Sequence, residues 1–119
     1  MSHRLLLGRR GEEITAKHLK SLGYEIRSRN LRIGRDEVDL LAWDPEDQVL
    51  VFVEVKTRER ADEDYPPELN AHWRKKACLK RSARRWVAEH DFDGGYRMDL
   101  VCVAEGRIVE HLKELEWEG

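Results

Sequence analysis

Three charged side chains in two apolar runs are the residues best suited to chemistry in this chain. Asp39 lies in Glu37-Val38-Asp39-Leu40-Leu41-Ala42-Trp43, and Glu54 and Lys56 end the run Val49-Leu50-Val51-Phe52-Val53-Glu54-Val55-Lys56. Five of the eight residues in the second run are valine or phenylalanine and none is glycine or proline, so a central, largely buried strand is expected. Strand side chains alternate between faces, which puts Glu54 and Lys56 on one face with Phe52 and Val51, Val53 and Val55 on the other. A carboxylate and an ammonium closing such a run are costly to desolvate and need a partner, a metal or a substrate. An i, i+2 ion pair at a strand end is the plainest answer. Asp39 weighs against it. Asp44-Pro45-Glu46-Asp47 has turn chemistry, so the two runs are expected to form a hairpin with Asp39 and Glu54 on neighbouring antiparallel strands. Set opposite each other, two carboxylates repel unless one is protonated or a cation lies between them, and oxygen ligands suit magnesium or manganese. On position alone, a surface carboxylate on a hairpin accounts for Asp39 equally well.

The elements that must position these residues are legible on either side. Arg9 to Leu22 carries Ile14, Ala16, Leu19 and Leu22 among charged residues and reads as an amphipathic helix stopped by Gly23. Glu12 and Glu13 fall in its expected first turn, where acids gain from the helix dipole. Tyr24 to Arg32 alternates weakly and reads as a first strand with a basic exposed side, and Gly34 opens the turn into the Asp39 strand. Thr57 to Pro67 is charged, lacks periodicity and ends in two prolines, the pattern of an exposed loop beside the site. Glu68 to His90 is helical, with His72, Leu79, Ala83, Trp86, Val87 and His90 on one stripe. Its Arg74, Lys75, Lys76, Lys80, Arg81, Arg84 and Arg85 are not interrupted by any acid. Tyr96 to Ala104 reads as a further strand and Arg107 to Leu112 as the last, joined as a hairpin through Glu105-Gly106. Arg97 and Asp99 share a face of their strand and suit a structural pair.

Composition bounds the rest. The 119 residues suffice for one compact domain, 40% are hydrophobic and 39% charged, and the formal net charge is −2. Positive charge is nevertheless segregated onto the second helix while the tail after Glu105 is acidic, and local potential governs partner choice more than net charge does. A basic helix of this kind suits phosphate backbones; a solvated helix face paired with acids elsewhere in the fold is the competing explanation. Cys78 and Cys102 lack metal-ligand spacing, so neither a zinc site nor a disulfide framework is expected, and both read as buried or inert thiols. Leu5-Leu6-Leu7 is too short for a signal peptide or membrane span, which makes a reducing cytoplasm the expected location and a membrane partner unexpected.

The order helix, three strands, long helix, two strands carries further motifs. Gly8-Arg9-Arg10-Gly11-Glu12 with Ala16, Gly23-Tyr24, Asn30, Glu37-Val38-Asp39-Leu40, Phe52-Val53-Glu54-Val55-Lys56-Thr57-Arg58 and Arg97-Met98-Asp99 resemble the signature of the YraN family of bacterial proteins. That family is similar to archaeal Holliday-junction resolvases within the PD-(D/E)-x-K nuclease superfamily. Where the family has glycine directly before Glu-Ile-Asp, this chain has Asp36, with Val38 for the isoleucine and Gly34 nearby to take the turn. The resemblance implies an α/β fold with a mixed sheet: a restriction-endonuclease-like αβββαβ core with an extra C-terminal strand, one nuclease domain over residues 1–119. It implies that Asp39 and Glu54, with the Val55 carbonyl, hold magnesium or manganese, and that Lys56 orients or activates water and stabilises charge on the scissile phosphate. Glu12 would reach the metal site from the first helix, and Lys75 with Lys76, Lys80 and Arg84 would contact flanking phosphates. The implied reaction is metal-assisted hydrolysis of DNA, the ion polarising the phosphoryl group and acidifying water. Branched or structured DNA is the implied substrate, and symmetric nicking of a junction implies a homodimer. The alternative is a DNA-binding accessory module with a weak or inactive site.

Overall fold

The computed structural model describes the backbone of residues 3–58 and 69–113, and the side chains of residues 6–58 and 77–113. The first helix, α1 (His3–Ser21), begins earlier than the spacing of its apolar residues predicts. Its end is sharp. The Tyr24 N–H donates to the Leu19 carbonyl at 3.0 Å and the Gly23 N–H to that of Lys20 at 3.0 Å, while Gly23 takes φ +92°. This pair of bonds around a left-handed residue satisfies the last helical carbonyls, and glycine carries that conformation without a Cβ clash. Tyr24 and Leu19 then pack in the same core cluster, fixing the exit of the chain.

Three strands follow as a meander: β1 (Glu25–Ile33), β2 (Asp36–Asp44) and β3 (Val49–Arg58). The turn between β1 and β2 consists of Gly34 and Arg35, with Gly34 at φ +63°, the first-position geometry of a tight hairpin that twists with its strands. Gly34 thus performs the turn that Asp36 cannot. At the next corner the Asp44 carboxylate accepts the N–H groups of Glu46 at 3.0 Å and Asp47 at 3.3 Å, so Asp44, expected in the turn, instead ends β2 and anchors the turn from a buried position. Helix α2 (Leu69–Glu89) is the crossover that returns the chain to lie parallel to β3 as β4 (Gly95–Ala104), and a hairpin through Glu105 and Gly106 adds β5 (Arg107–Leu112). The sheet order is β1-β2-β3-β4-β5. A mixed five-stranded sheet with this element order is the expected restriction-endonuclease-like α/β core with its extra C-terminal strand.

The two helices cover opposite faces. On one, Ala16 and Leu19 of α1 pack against Leu40, Ala42, Val51, Val53, Val101 and Val103. On the other, Leu79 and Ala83 of α2 pack against Val38, Leu41, Phe52 and Met98, with Trp86 at their margin. Phe52 and Val51 or Val53 therefore face different helices, as alternation along β3 predicts. Along β2 the alternation breaks at Asp39, since Val38 joins Leu41 on the α2 side while Leu40 joins Ala42 on the α1 side.

Three departures from the sequence reading have physical causes. Because α1 starts at His3, Glu12 and Glu13 lie in mid-helix and not in its first turn, which holds no acid, so the dipole role expected for them is excluded. Cys78 lies on the exposed side of α2 and Cys102 is only half-buried, so of the expectation that both thiols are buried or inert, burial fails at Cys78. Arg97 and Asp99 do pair, at 2.9 Å, but within a larger network: Arg97 also bonds Tyr24 Oη at 2.6 Å and ion-pairs with Asp44 at 3.2 Å and Asp47 at 2.9 Å. Asp99, fully buried, has its second oxygen 2.8 Å from His111 Nε2. Of the expected loop from Thr57 to Pro67, Thr57 and Arg58 continue β3 through its pairing with β4, and the remainder from residue 59, together with Glu68, the side chains of His72 and Trp73, and Leu115 and Trp117, lies outside the described residues.

Candidate functional site

The β2–β3 ladder is regular from Asp44↔Val49 to Leu40↔Val53, so it ends one step short of Asp39 and Glu54. There the pairing stops. The Asp39 carboxylate takes over, its Oδ2 accepting the Val55 N–H at 2.7 Å. A side-chain oxygen thus replaces a backbone carbonyl at the point where the two strands separate, so the main-chain donor stays satisfied while the strands part. Glu54 and Lys56 are both half-buried and project from β3 on the side of Phe52, away from the Val51, Val53 and Val55 face packed by α1. The expected hairpin is present, with Asp39 on β2 and Glu54 and Lys56 on the neighbouring antiparallel β3.

Glu12 approaches from α1. Burial raises its carboxyl above the ordinary glutamate value, and the negative charges of Glu37 and then Glu54 push it the same way; the Asn30 side chain and Arg9 oppose them. Glu12 is therefore near enough to Glu54 to feel its charge, which brings α1, β2 and β3 to one acidic locus. Glu37 and Asn30 belong to this locus and were not singled out for it by the sequence. Strand alternation gave the one signal for Glu37, two residues before Asp39 on the same strand. Asn30 takes φ +50°, a left-handed conformation that asparagine tolerates better than most residues.

Among the described residues no three His, Cys, Asp or Glu side chains close into a cluster able to hold a metal ion. The chemistry of the donors nevertheless fits a hard divalent ion: Asp39 and Glu54 supply oxygen only, and the repulsion that Glu12 feels from Glu37 and Glu54 is of the kind a cation relieves. An ion held by two carboxylates and the Val55 carbonyl would keep several of its own waters, as magnesium commonly does.

The expected phosphate-binding helix divides. Lys75 and Lys76 lie in α2, with side chains outside the described residues. Lys80 is half-buried and already interacts within the protein. Arg84 is exposed. Arg81 is committed to Asp36 through bonds of 3.0–3.2 Å, and that carboxylate also accepts from Ser82 Oγ at 3.2 Å, so Asp36 ties α2 to the start of β2. Arg85 pairs with Glu89 at 2.9 Å one turn away. Part of the positive face is thus internally matched.

Comparison with known proteins gives the chain its family. The sequence profile of the Uncharacterised protein family UPF0102 matches residues 11–103, which include Glu12, Asp39, Glu54 and Lys56. A UPF0102 protein of Beutenbergia cavernae is 41% identical over 112 residues, covering 90% of this chain and 92% of its own. One from Parafrankia sp. is 45% identical over 110 residues, covering 88% and 91%, and one from Prosthecochloris aestuarii is 34% identical over 120 residues, covering 93% of each. Motif, register and profile converge, and the chain belongs to the UPF0102 family, the YraN family that its motifs resemble.

Proposed function

We propose that this protein is a magnesium- or manganese-dependent endodeoxyribonuclease that hydrolyses phosphodiester bonds in branched or otherwise structured DNA. The observation that carries this reading is the end of the β2–β3 ladder one step short of Asp39 and Glu54, where the Asp39 carboxylate accepts the N–H of Val55, the residue between Glu54 and Lys56 on β3. Asp39 and Glu54, with the Val55 carbonyl, hold the ion. Bound there, the ion supplies Lewis-acid polarisation of a phosphoryl oxygen and a water of lowered pKa. The Lys56 ammonium orients the attacking water and offsets the charge that grows on the phosphate. Glu12 hydrogen-bonds water on the α1 side, its raised pKa suiting it to exchange a proton nearer neutrality than an ordinary glutamate. Arg84, Lys80, Lys75 and Lys76 on α2 contact flanking phosphates, and symmetric nicking of a junction requires two copies of the chain.

The test is a cleavage panel of duplex, single-stranded, flap and four-way-junction DNA with magnesium or manganese, run beside Asp39→Ala and Glu54→Ala. Cleavage by the native protein that disappears in both variants, with DNA binding intact, is the expected result. Equal residual cleavage in the purified variants would assign the activity to a contaminant.

A second reading, a DNA-binding accessory module with a silent site, draws on the Asp39–Val55 hydrogen bond, which gives Asp39 a structural task without any ion. In that case binding persists in EDTA, weakens steeply with salt, and no divalent ion alters DNA length.

A further inference from the structure

Beside the candidate site, on the α1 side of the sheet, a cavity of about 360 Å³ opens between three elements. Leu7, Arg10, Gly11 and Ile14 of α1 form one wall, Thr57 and Arg58 at the end of β3 the floor, and Val103 with the Glu105-Gly106 turn the far side. Its position follows from the topology. The parallel strands β3 and β4 end together here, and the crevice beyond the carboxyl ends of parallel strands is where α/β sheets commonly take ligands. Two glycines shape it. A Cβ added at Gly11 would overlap the Thr57 hydroxyl, so only glycine lets α1 lie this close to β3. Gly106 takes φ +74°, a left-handed conformation that favours glycine, and lies beside the Arg10 guanidinium.

The lining has two characters. Leu7, Ile14 and Val103 give an apolar surface, while Arg10 and Arg58 bring two guanidinium groups against the one carboxylate of Glu105. Guanidinium forks match phosphate oxygens, and each carries five donors, so Arg58 can keep the protein interaction it already has and still meet an anion. An apolar wall beside a cationic rim suits a planar base carried on a phosphate, and the volume lies in the range of small-ligand sites. The connection to the candidate site is covalent: Arg10 and Gly11 adjoin Glu12, and Thr57 and Arg58 adjoin Lys56.

We infer that this cavity is a nucleotide subsite, taking one unpaired nucleotide of the DNA with its base on Leu7, Ile14 and Val103 and its phosphate on Arg10 and Arg58. This rests on the nuclease reading for its biological use, though the binding itself does not. A duplex presents no unpaired nucleotide, so the subsite selects DNA with a single-stranded end, flap or branch point over blunt duplex.

Thymidine 5′-monophosphate titrated into the 15N-labelled full-length protein in EDTA tests it, with inorganic phosphate and thymidine in parallel arms. The expected result is saturable shifts of the Gly11, Thr57 and Gly106 amides, at least tenfold weaker with either parallel ligand. Arg10→Ala should weaken binding at least tenfold, Ile14→Trp should abolish it by filling the cavity, and Glu54→Gln should leave it unchanged. Arg10 is exposed, so its substitution is compatible with folding, and Arg10→Lys, which keeps the charge and loses the fork, provides a second variant. Binding unaffected by Arg10→Ala and Arg10→Lys, shifts confined to Glu54 and Lys56, or phosphate binding as tightly as the nucleotide would overturn the subsite. Saturable binding at Gly11 and Gly106 without DNA cleavage in the panel above would uphold the subsite and remove the nuclease, so the two failures are separable.

Discussion

The Asp39 carboxylate accepts the backbone N–H of Val55 at 2.7 Å where the β2–β3 ladder ends. One residue thereby satisfies the main-chain donor at the end of the ladder and carries a carboxylate proposed to act in the reaction. Two substitutions divide these tasks. Asp39→Asn keeps an oxygen for the Val55 N–H and loses the charge; Asp39→Ala loses both. The alanine variant should lose about 1–3 kcal/mol of stability in urea unfolding, the cost of an unsatisfied donor, and the asparagine variant much less. Both should lose cleavage, on the order of 10²-fold or more, as expected when a charged group at a reacting centre is removed. An asparagine variant that cuts at the native rate would leave Asp39 with its structural task alone.

Arg97 is the hub of the buried polar network, with its side chain only 11% exposed and Asp99 fully buried beside it. Tyr24 records the same enclosure: burial, despite the attraction of Arg97, pushes its hydroxyl up to about 12. Arg97→Met leaves the Asp99 and Asp44 charges without their cation and should cost about 3–5 kcal/mol. Adding Asp99→Asn to that variant should recover part of the loss. Urea unfolding of the single and double variants measures the coupling.

His18 hydrogen-bonds His111 at 3.1 Å, and His111 in turn bonds Asp99. With His111 Nε2–H donating to that carboxylate, its Nδ1 accepts from a neutral His18. Burial, and then the neighbouring His111, hold the His18 imidazole below its ordinary value of 6.5. The unfolded chain therefore takes up a proton near pH 6.5 that the folded protein still refuses, and stability falls as pH drops below that point. Thermal unfolding between pH 8 and pH 5 should show a declining midpoint, and His18→Gln should flatten the decline. Buried Asp44 adds to the acid side: burial raises its carboxyl, but the Asp47 and Glu46 N–H groups and Arg97 outweigh this and hold it below the usual aspartate value. Its contribution is present above the unfolded aspartate pKa and is lost as pH falls through the lower folded value, beneath about pH 4.

Gly11 sets the distance between α1 and β3. Alanine there gains helix propensity of about 1 kcal/mol but meets the Thr57 side chain, and overpacking of this kind typically costs about 1–3 kcal/mol. Gly11→Ala should lower the thermal midpoint, and Gly11→Ala with Thr57→Ala should recover part of the loss, since the second change removes Oγ1 and Cγ2 but keeps the Thr57 Cβ 2.9 Å from the new methyl. A destabilisation left untouched by Thr57→Ala would mean that the glycine serves something other than close approach.

Most of the fold was legible because its signals are local. Gly23 and Gly34 mark turns by conformation, β3 shows itself by valine content, and alternation along β3 assigned Glu54 and Lys56 to the Phe52 face. The hairpin through Asp44 to Asp47 put Asp39 and Glu54 on neighbouring antiparallel strands by counting alone. What escaped was long-range or compensatory. Tyr24, Asp44, Asp99 and His111 are far apart in sequence, and no periodicity reports that Arg97 gathers them. Nor does the run of cations on α2, uninterrupted by any acid, reveal that one of them, Arg81, is held by Asp36, which replaces a glycine of the family pattern. The start of α1 was misplaced because Leu5, Leu6 and Leu7 obscure the helical repeat, and that error gave Glu12 a capping role in a turn it does not occupy.

The parallel pairing of β3 with β4 also imposes an order on folding. The β1-β2-β3 meander closes through short turns, and α1, already synthesised, can cover its first face as soon as it forms. Its other face, with Val38, Leu41 and Phe52, has no cover until α2 follows, and β3 has no second neighbour until β4 returns. Such non-local closure is slow and leaves apolar surface open to association in the meantime. During synthesis the vulnerable interval is therefore the one between the completion of Lys56 and the arrival of Asp99, and a chain truncated within it should aggregate.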